Sequence, residues 1–275
     1  MCRLIGYVAA HPSTLAELIG PQQCDSFRAL AKLHADGWGS AWVAGRHPDE
    51  TIQRVRDTVL TPDYAPIVQA TDQSTARARI LHLRLASPGI PIAIANNQPF
   101  IADGIAFAHN GGVFPVSALR PLISPAVLRS VEGDTDSELY FALIRQNIGL
   151  GNPIVEAVRL AVAQLRQHFP TASLNALLLT KDELIAVHAS ENLPTPLAEL
   201  QARGLSVEQL PKDHTDNYYR LIYLRTVDGG TVIASSGIDT EGWIPLPPLS
   251  IASISLSTLE LTITRLQKIS EGMLR

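Results

Sequence analysis

The chain has 275 residues, a formal net charge of −4 and 46% hydrophobic residues, which is enough apolar material for a sizeable core. It gathers no basic run, which disfavours a nucleic-acid partner, and no apolar run approaches the ~20 residues that span a bilayer. Arg3 is followed only by the short apolar stretch Leu4 to Ala10 rather than by an export signal, so the expectation is a cytoplasmic protein with reduced thiols and no membrane contact.

In chain order, a short apolar run predicts a strand over Arg3–Val8, and helical spacing follows over Cys24–Leu33. Strand-like runs then occupy Trp38–Val43 and Ile52–Val55, with a short helix over Asp63–Ala70. Ala78–Leu85 and Ile105–Ala108 read as strands. The strongest helical periodicity lies in Asp136–Asn147 and Ile154–Phe169, with Pro153 suited to the first helical position of the second. Ala176–Thr180 and Leu184–Val187 are joined by Lys181-Asp182-Glu183, and Leu221–Leu224 and Thr231–Ala234 by Asp228-Gly229-Gly230; both pairs read as hairpins. Ser250–Ile254 and Thr258–Thr264 complete the strands. The loops are Gly45–Glu50, Pro88–Pro99, Lys212–Asn217 and Asp239–Pro248, the last a lid or a structural wrap. Strands and helices do not alternate, so this order predicts an α+β fold of antiparallel sheets with helices on their outer faces, in a single domain over residues 1–275.

Five stretches carry chemistry-bearing residues. Cys2 directly follows Met1. With Met1 removed it would carry a thiol of pKa ~8.5 and a free amine of pKa ~8, a nucleophile with its own base. The alternative is a small residue packed in the core. "AHNGG" ends a strand with His109, Asn110 and Gly111: an oxyanion hole built from an amide side chain and a backbone N–H, or a plain Asn-Gly turn. "LHLRLASPG" offers Arg84 as a two-point carboxylate clamp or as a surface ion pair. "GDTDSE" opens the strongest helix. Asp134 or Thr135 can cap it with Glu138 reaching back, which leaves Asp136 as a spare carboxylate for an ammonium group. "HADGWGSAW" places Trp38 as a pocket wall or as core. Two cysteines without a Cys/His cluster disfavour a structural zinc site, and the glycines match no phosphate-binding loop. A disulfide between Cys2 and Cys24 is not expected in a reducing compartment.

Met1-Cys2, "DGWG" at 36–39, "HLRLASPG" at 82–89, "NNQPF" at 96–100, "AHNG" at 108–111 and "GDTDSE" at 133–138 occur together and in order, with a weaker "VIASS" at 232–236. This ordered set resembles the class II glutamine amidotransferases, which are N-terminal-nucleophile hydrolases. It is most similar to their stand-alone members, such as the bacterial ergothioneine-pathway γ-glutamyl hydrolase. The resemblance implies a four-layer α/β/β/α sandwich of two antiparallel sheets. It implies Cys2 as nucleophile with its own amine as base, and Asn110 with the Gly111 N–H as oxyanion hole. Arg84 and Asp136 would hold the substrate's α-carboxylate and α-ammonium, with His109, Ser87 and Trp38 completing the substrate-binding set. The reaction implied is hydrolysis of glutamine or a γ-glutamyl amide through a thioester, without metal or organic cofactor. Synthase-type members read Trp-Ala-Thr-His-Gly after the arginine, where this chain has Leu85-Ala86-Ser87-Pro88-Gly89, so a different pocket wall is expected. Two further readings stay open. One is a subunit that delivers ammonia to a separate synthase or peptidase chain. The other is a retired enzyme that serves as a binding protein.

Overall fold

A computed structural model describes residues 2–45, 51–190, 195–204, 206–211 and 213–266. Met1, most of the Gly45–Glu50 loop and the first residue of Lys212–Asn217 lie outside them. The chain runs from β1 (Arg3–Ser13) through α1 (Leu15–Ile19) and α2 (Pro21–Ala29) to β2 (Trp38–Val43) and β3 (Gln53–Asp57). α3 (Ala65–Val68) leads to β4 (Ala76–Leu83), then β5 (Phe100–Ala102) and β6 (Ile105–Gly112). After α4 (Pro125–Leu128) come the long helices α5 (Asp136–Gly149) and α6 (Ile154–His168), and the strands β7 (Ser173–Leu179) and β8 (Glu183–His188). α7 (Leu197–Gln201) precedes β9 (Leu221–Arg225) and β10 (Thr231–Ser235), and β11 (Ile244–Pro245), β12 (Ser250–Ser255) and β13 (Leu261–Arg265) follow.

The strands form two antiparallel sheets, ordered β11-β9-β10-β1-β4-β2-β3 and β13-β12-β8-β7-β6-β5. Alternating side chains divide the core into three apolar layers. Leu4, Val8, Ile80 and Ala41 of the first sheet meet Ala106, Ala108, Leu177 and Leu184 of the second between the sheets. Ile5, Tyr7, Leu81 and Trp38 turn outward against Cys24, Phe27 and Leu15 of the first two helices. Phe107, Ala176, Leu178 and Val187 turn outward against Leu139, Leu143, Val158 and Leu165 of α5 and α6. Helix, sheet, sheet, helix is the four-layer α+β sandwich that the element order and the resemblance imply. Gly6 keeps the two sheets close, since a β-carbon there would stand 2.9 Å from Leu177 Cδ1.

The differences from the sequence reading have local causes. β1 continues to Ser13 because its far end re-pairs with Ala76 after a break in register at Val8. The helix expected at Cys24–Leu33 starts earlier, at Pro21, and tightens into a 3₁₀ turn over Leu30–Lys32. Pro153 is the N-cap residue and the helix begins at Ile154. The last strand is Leu261–Arg265, because Ser255–Leu259 forms the preceding turn with Leu259 at φ 62°. Asp239–Pro248 runs along a sheet edge, where β11 pairs Ile244 with Tyr223 and Leu246 N–H donates to Leu221 O.

Candidate active site

Cys2 shares strand parity with Leu4 and Val8, so it belongs to the face between the sheets. It is 7% exposed, and its Sγ lies 3.8 Å from the Leu85 carbonyl oxygen. Burial pushes the thiol pKa above its ordinary value, against the opposing pull of Arg84 and Arg3. The resting group is therefore a neutral thiol that needs a base. Arg3 turns to the other face. It donates from Nε to the Cys2 carbonyl at 2.5 Å and from Nη1 to Tyr218 O at 3.1 Å and to Ser236 Oγ, and its guanidinium lies 3.9 Å from the Tyr218 ring centre. Ser235 Oγ accepts from Leu4 N–H at 2.9 Å. These contacts pin an end of the chain that would otherwise fray.

The pairing of Arg3 with Leu83 sets Cys2 beside Arg84. Arg84 is buried. Its Nη2 donates to Pro91 O at 3.1 Å, and its Nη1 has no partner among the described residues. Burial lowers its pKa, while Cys2 and Asp36 favour its charged form. Two residues earlier, on the same face, His82 is fully buried; the His109 backbone is its polar neighbour, beyond close hydrogen-bonding geometry among the described residues. Burial, followed by the charges of Arg84 and His109, holds its pKa down to about 3.

From the second sheet comes Asn110, on the parity of Ala106 and Ala108 and so on the same interior face. It is fully buried, and neither Nδ2 nor Oδ1 has a partner among the described residues. Gly111 follows where the chain passes tightly over Ser173: a β-carbon at this position would collide with the Ser173 carbonyl. Asp136 is buried at the start of α5, and its Oδ2 accepts from Val113 N–H at 2.8 Å, which ties the helix to the segment after Gly111. Burial raises its pKa, opposed by His109 and by the Val113 N–H. Thr135 is the cap, accepting from Glu138 N–H at 3.1 Å. Glu138 reaches past it to the N–H groups of Glu132 and Gly133, at 2.8 and 2.7 Å.

Two residues of the expected substrate set, His109 and Trp38, face away from the layer between the sheets. His109 has the opposite parity to Asn110 and faces the helix layer, where Nδ1 meets Ser137 Oγ at 2.9 Å and Nε2 meets Ser173 O at 2.7 Å. Both nitrogens are thus engaged by protein, which makes it a brace beneath the Asn110–Gly111 backbone. Trp38 is core: it packs with Ile5, Phe27 and Leu30 on the outer face of the first sheet, so it walls no pocket between the sheets. Ser87 is half-buried in a turn, where its carbonyl accepts from Ile90 N–H at 3.1 Å.

Buried polar groups without partners cost roughly 1–3 kcal/mol each. Arg84 Nη1 and both polar atoms of Asn110 face the layer that holds the Cys2 thiol, while others, such as Trp38 Nε1 and Asn97 Oδ1, lie elsewhere. Donors left unsatisfied beside a nucleophile are the arrangement expected where a carboxylate and an oxyanion are to bind.

A profile described as "Glutamine amidotransferases class-II" matches residues 1–204. The chain belongs to the class II glutamine amidotransferase family. Similar curated proteins include glutamine–fructose-6-phosphate aminotransferase (isomerizing) of Bradyrhizobium diazoefficiens, 28% identical over 171 residues, and that of Vibrio cholerae, 29% identical over 173 residues. In both, the match covers 62% of this chain and 26% of the relative, so the chain spans about a quarter of their length. Among solved structures, a glutamine aminotransferase class-II domain protein from Silicibacter pomeroyi shares the fold, with a TM-score of 0.62 at 19% identity over 97% of this chain and 100% of that one. The glutamine phosphoribosylpyrophosphate amidotransferase of B. subtilis does so with a TM-score of 0.61 at 16% identity, over 98% of this chain and 50% of that one.

Two residues of this class II amidotransferase chain escape the sequence reading. His82 was recoverable, since it stands two before Arg84 on a strand and must share its face. Arg3 was not, because its partners Tyr218 and Ser236 lie more than two hundred residues away.

Proposed function

We propose that this chain hydrolyses the side-chain amide of glutamine or of a γ-glutamyl compound, with Cys2 as nucleophile. The observation that supports it best is the pair of buried side chains, Arg84 and Asn110, whose unpartnered polar atoms face the layer that holds the buried thiol. In this reading Arg84 Nη1 takes the substrate α-carboxylate, and Asp136 takes the α-ammonium. That places the γ-carbonyl against sulfur, which is catalysis by orientation. Sγ attacks the γ-carbon, and the oxyanion is held by Asn110 Nδ2 and the Gly111 N–H. The thiol is neutral at rest, and His82 is too weak a base to take its proton, so the α-amine of Cys2, once Met1 is removed, accepts it. The amine passes the proton to the departing nitrogen and then activates water to cleave the thioester, giving glutamate. The narrower reading of a γ-glutamyl amide substrate rests on Leu85-Ala86-Ser87-Pro88-Gly89, which replaces the synthase-type segment.

The test is the intact mass of the purified protein before and after treatment with a glutamine-mimicking electrophile. Loss of Met1 with one adduct on the N-terminal peptide is the expected result. Retained Met1 with no adduct would remove Cys2 as the nucleophile. A second reading, in which ammonia goes to a separate synthase chain, is favoured by the length comparison: the matched stretch is only 26% of relatives whose names state a transfer to fructose 6-phosphate. Glutamine turnover that rises on adding a co-purifying chain would support it.

A further inference from the structure

Asp36 is clamped by one arginine, Arg203, and bonded through its backbone to a second, Arg84. Arg203, just beyond α7, donates from Nη1 to Asp36 Oδ1 at 3.0 Å and from Nη2 to Oδ2 at 2.5 Å, a two-point clamp. Asp36 Oδ2 also accepts from Ala86 N–H at 2.8 Å. The backbones are laced at the same place, with Asp36 N–H donating to Arg84 O at 3.0 Å and Arg84 N–H donating to Gly37 O at 2.8 Å. The carboxylate therefore lies against the Arg84–Ala86 segment that carries both the Arg84 side chain and the Leu85 carbonyl facing Cys2. The Asp36 side chain is 7% exposed, whereas that of Arg203 is 35% exposed.

An ordinary surface ion pair contributes little, about 0–1 kcal/mol. A nearly buried carboxylate is different, because without its partner it recruits whatever cation is in reach. Arg84 is the arginine adjoining Asp36 along the backbone, since Asp36 N–H donates to Arg84 O and Asp36 Oδ2 is held two residues further on by Ala86 N–H. Its Nη1 is unpartnered, and Asp36 already favours its charged form. A guanidinium drawn onto Asp36 is lost to a ligand carboxylate.

We propose that Arg203 is a positioning residue: by neutralising Asp36 in a two-point clamp, it keeps the Arg84 guanidinium free for the α-carboxylate of the substrate. This rests on the reading of Arg84 given above. It makes the segment after β8, outside the motifs that mark the site in the sequence, a determinant of substrate affinity. Leu200 and Tyr218 support the placement, since both belong to one buried cluster with Leu85 and Leu33.

The experiment is calorimetric binding of L-glutamate to the full chain and to three variants. Arg203→Ala should weaken binding about tenfold or more, as expected for the loss of a charge-assisted carboxylate contact. Arg203→Ala combined with Asp36→Asn should restore most of the affinity, because the substituted amide still accepts from Ala86 N–H but has no charge with which to draw Arg84 away. Asp36→Asn alone should bind nearly as the wild type does. Unchanged binding in Arg203→Ala would overturn the proposal, and so would a double variant as weak as or weaker than the single one. A wild-type chain that binds no glutamate would overturn the reading of Arg84 itself, and this proposal with it. A purely structural role for Arg203 would lower the melting temperature of Arg203→Ala and would also be rescued by Asp36→Asn, so the loss of affinity has to appear in Arg203→Ala with its melting temperature held, and a loss that tracks the melting temperature would overturn the proposal.

Discussion

The two ends of the layer between the sheets are made from the same strands and follow opposite rules. At one end Val8, Ile80, Ala106, Leu177 and Leu179 close the gap with apolar side chains that are fully buried. At the other end the same strands carry Cys2, His82, Arg84 and Asn110, equally buried but with several polar atoms unpartnered. The first end stabilises the sandwich. The second end costs stability, which the rest of the core has to offset, and the reason to keep such a region is what it binds.

Substitutions at the two ends should therefore separate rate from stability. The largest effect is expected from Cys2→Ala, which should abolish γ-glutamyl thioester formation while thermal unfolding stays near that of the wild type. Normal turnover by that variant would end the mechanism. Next is Leu177→Ala at the apolar end, which should destabilise by about 2–5 kcal/mol in denaturant titration while each folded molecule keeps its rate. A loss of rate with intact stability would mean that the ends are not distinct. Asn110→Ala should do the reverse, lowering kcat by about 10²–10³. Its stability should hold or rise, since two unpaired buried atoms leave together.

The smallest effect concerns Asp136, whose carboxyl pKa is raised by burial. At pH between the unfolded and folded values the native state binds more protons than the unfolded one. Its stability contribution thus falls as pH rises through that window. Asp136→Asn keeps an acceptor for Val113 N–H without the charge. The variant should equal or exceed the wild type in melting temperature at neutral pH, and the wild type should gain on it as pH falls toward the ordinary carboxylate range. A gap that widens on acidification would reverse the assignment.

Most of the fold was legible because its signals are local. Helical spacing placed α5 and α6, and the Lys181-Asp182-Glu183 and Asp228-Gly229-Gly230 turns placed both hairpins. The site was legible in part. The ordered motifs pointed to Cys2, Arg84, Asn110 and Asp136, yet they also drew in His109 and Trp38, which strand parity places on the outer faces. Neighbours on a strand point apart, so Asn110 and His109 cannot both face a ligand. What no local pattern could supply is the Arg203–Asp36 clamp, because its partners are 167 residues apart and its value depends on a third residue, Arg84.

Gly6 has a kinetic consequence. With the sheets drawn together at Leu177, apolar side chains fill the layer between them beyond Cys2. Under the proposed mechanism the first product would have to leave before water takes its place, so release and hydrolysis would form a queue. A nucleophile other than water should then compete for the proposed thioester in proportion to its concentration, and the partitioning between the two would gauge how freely the site admits it.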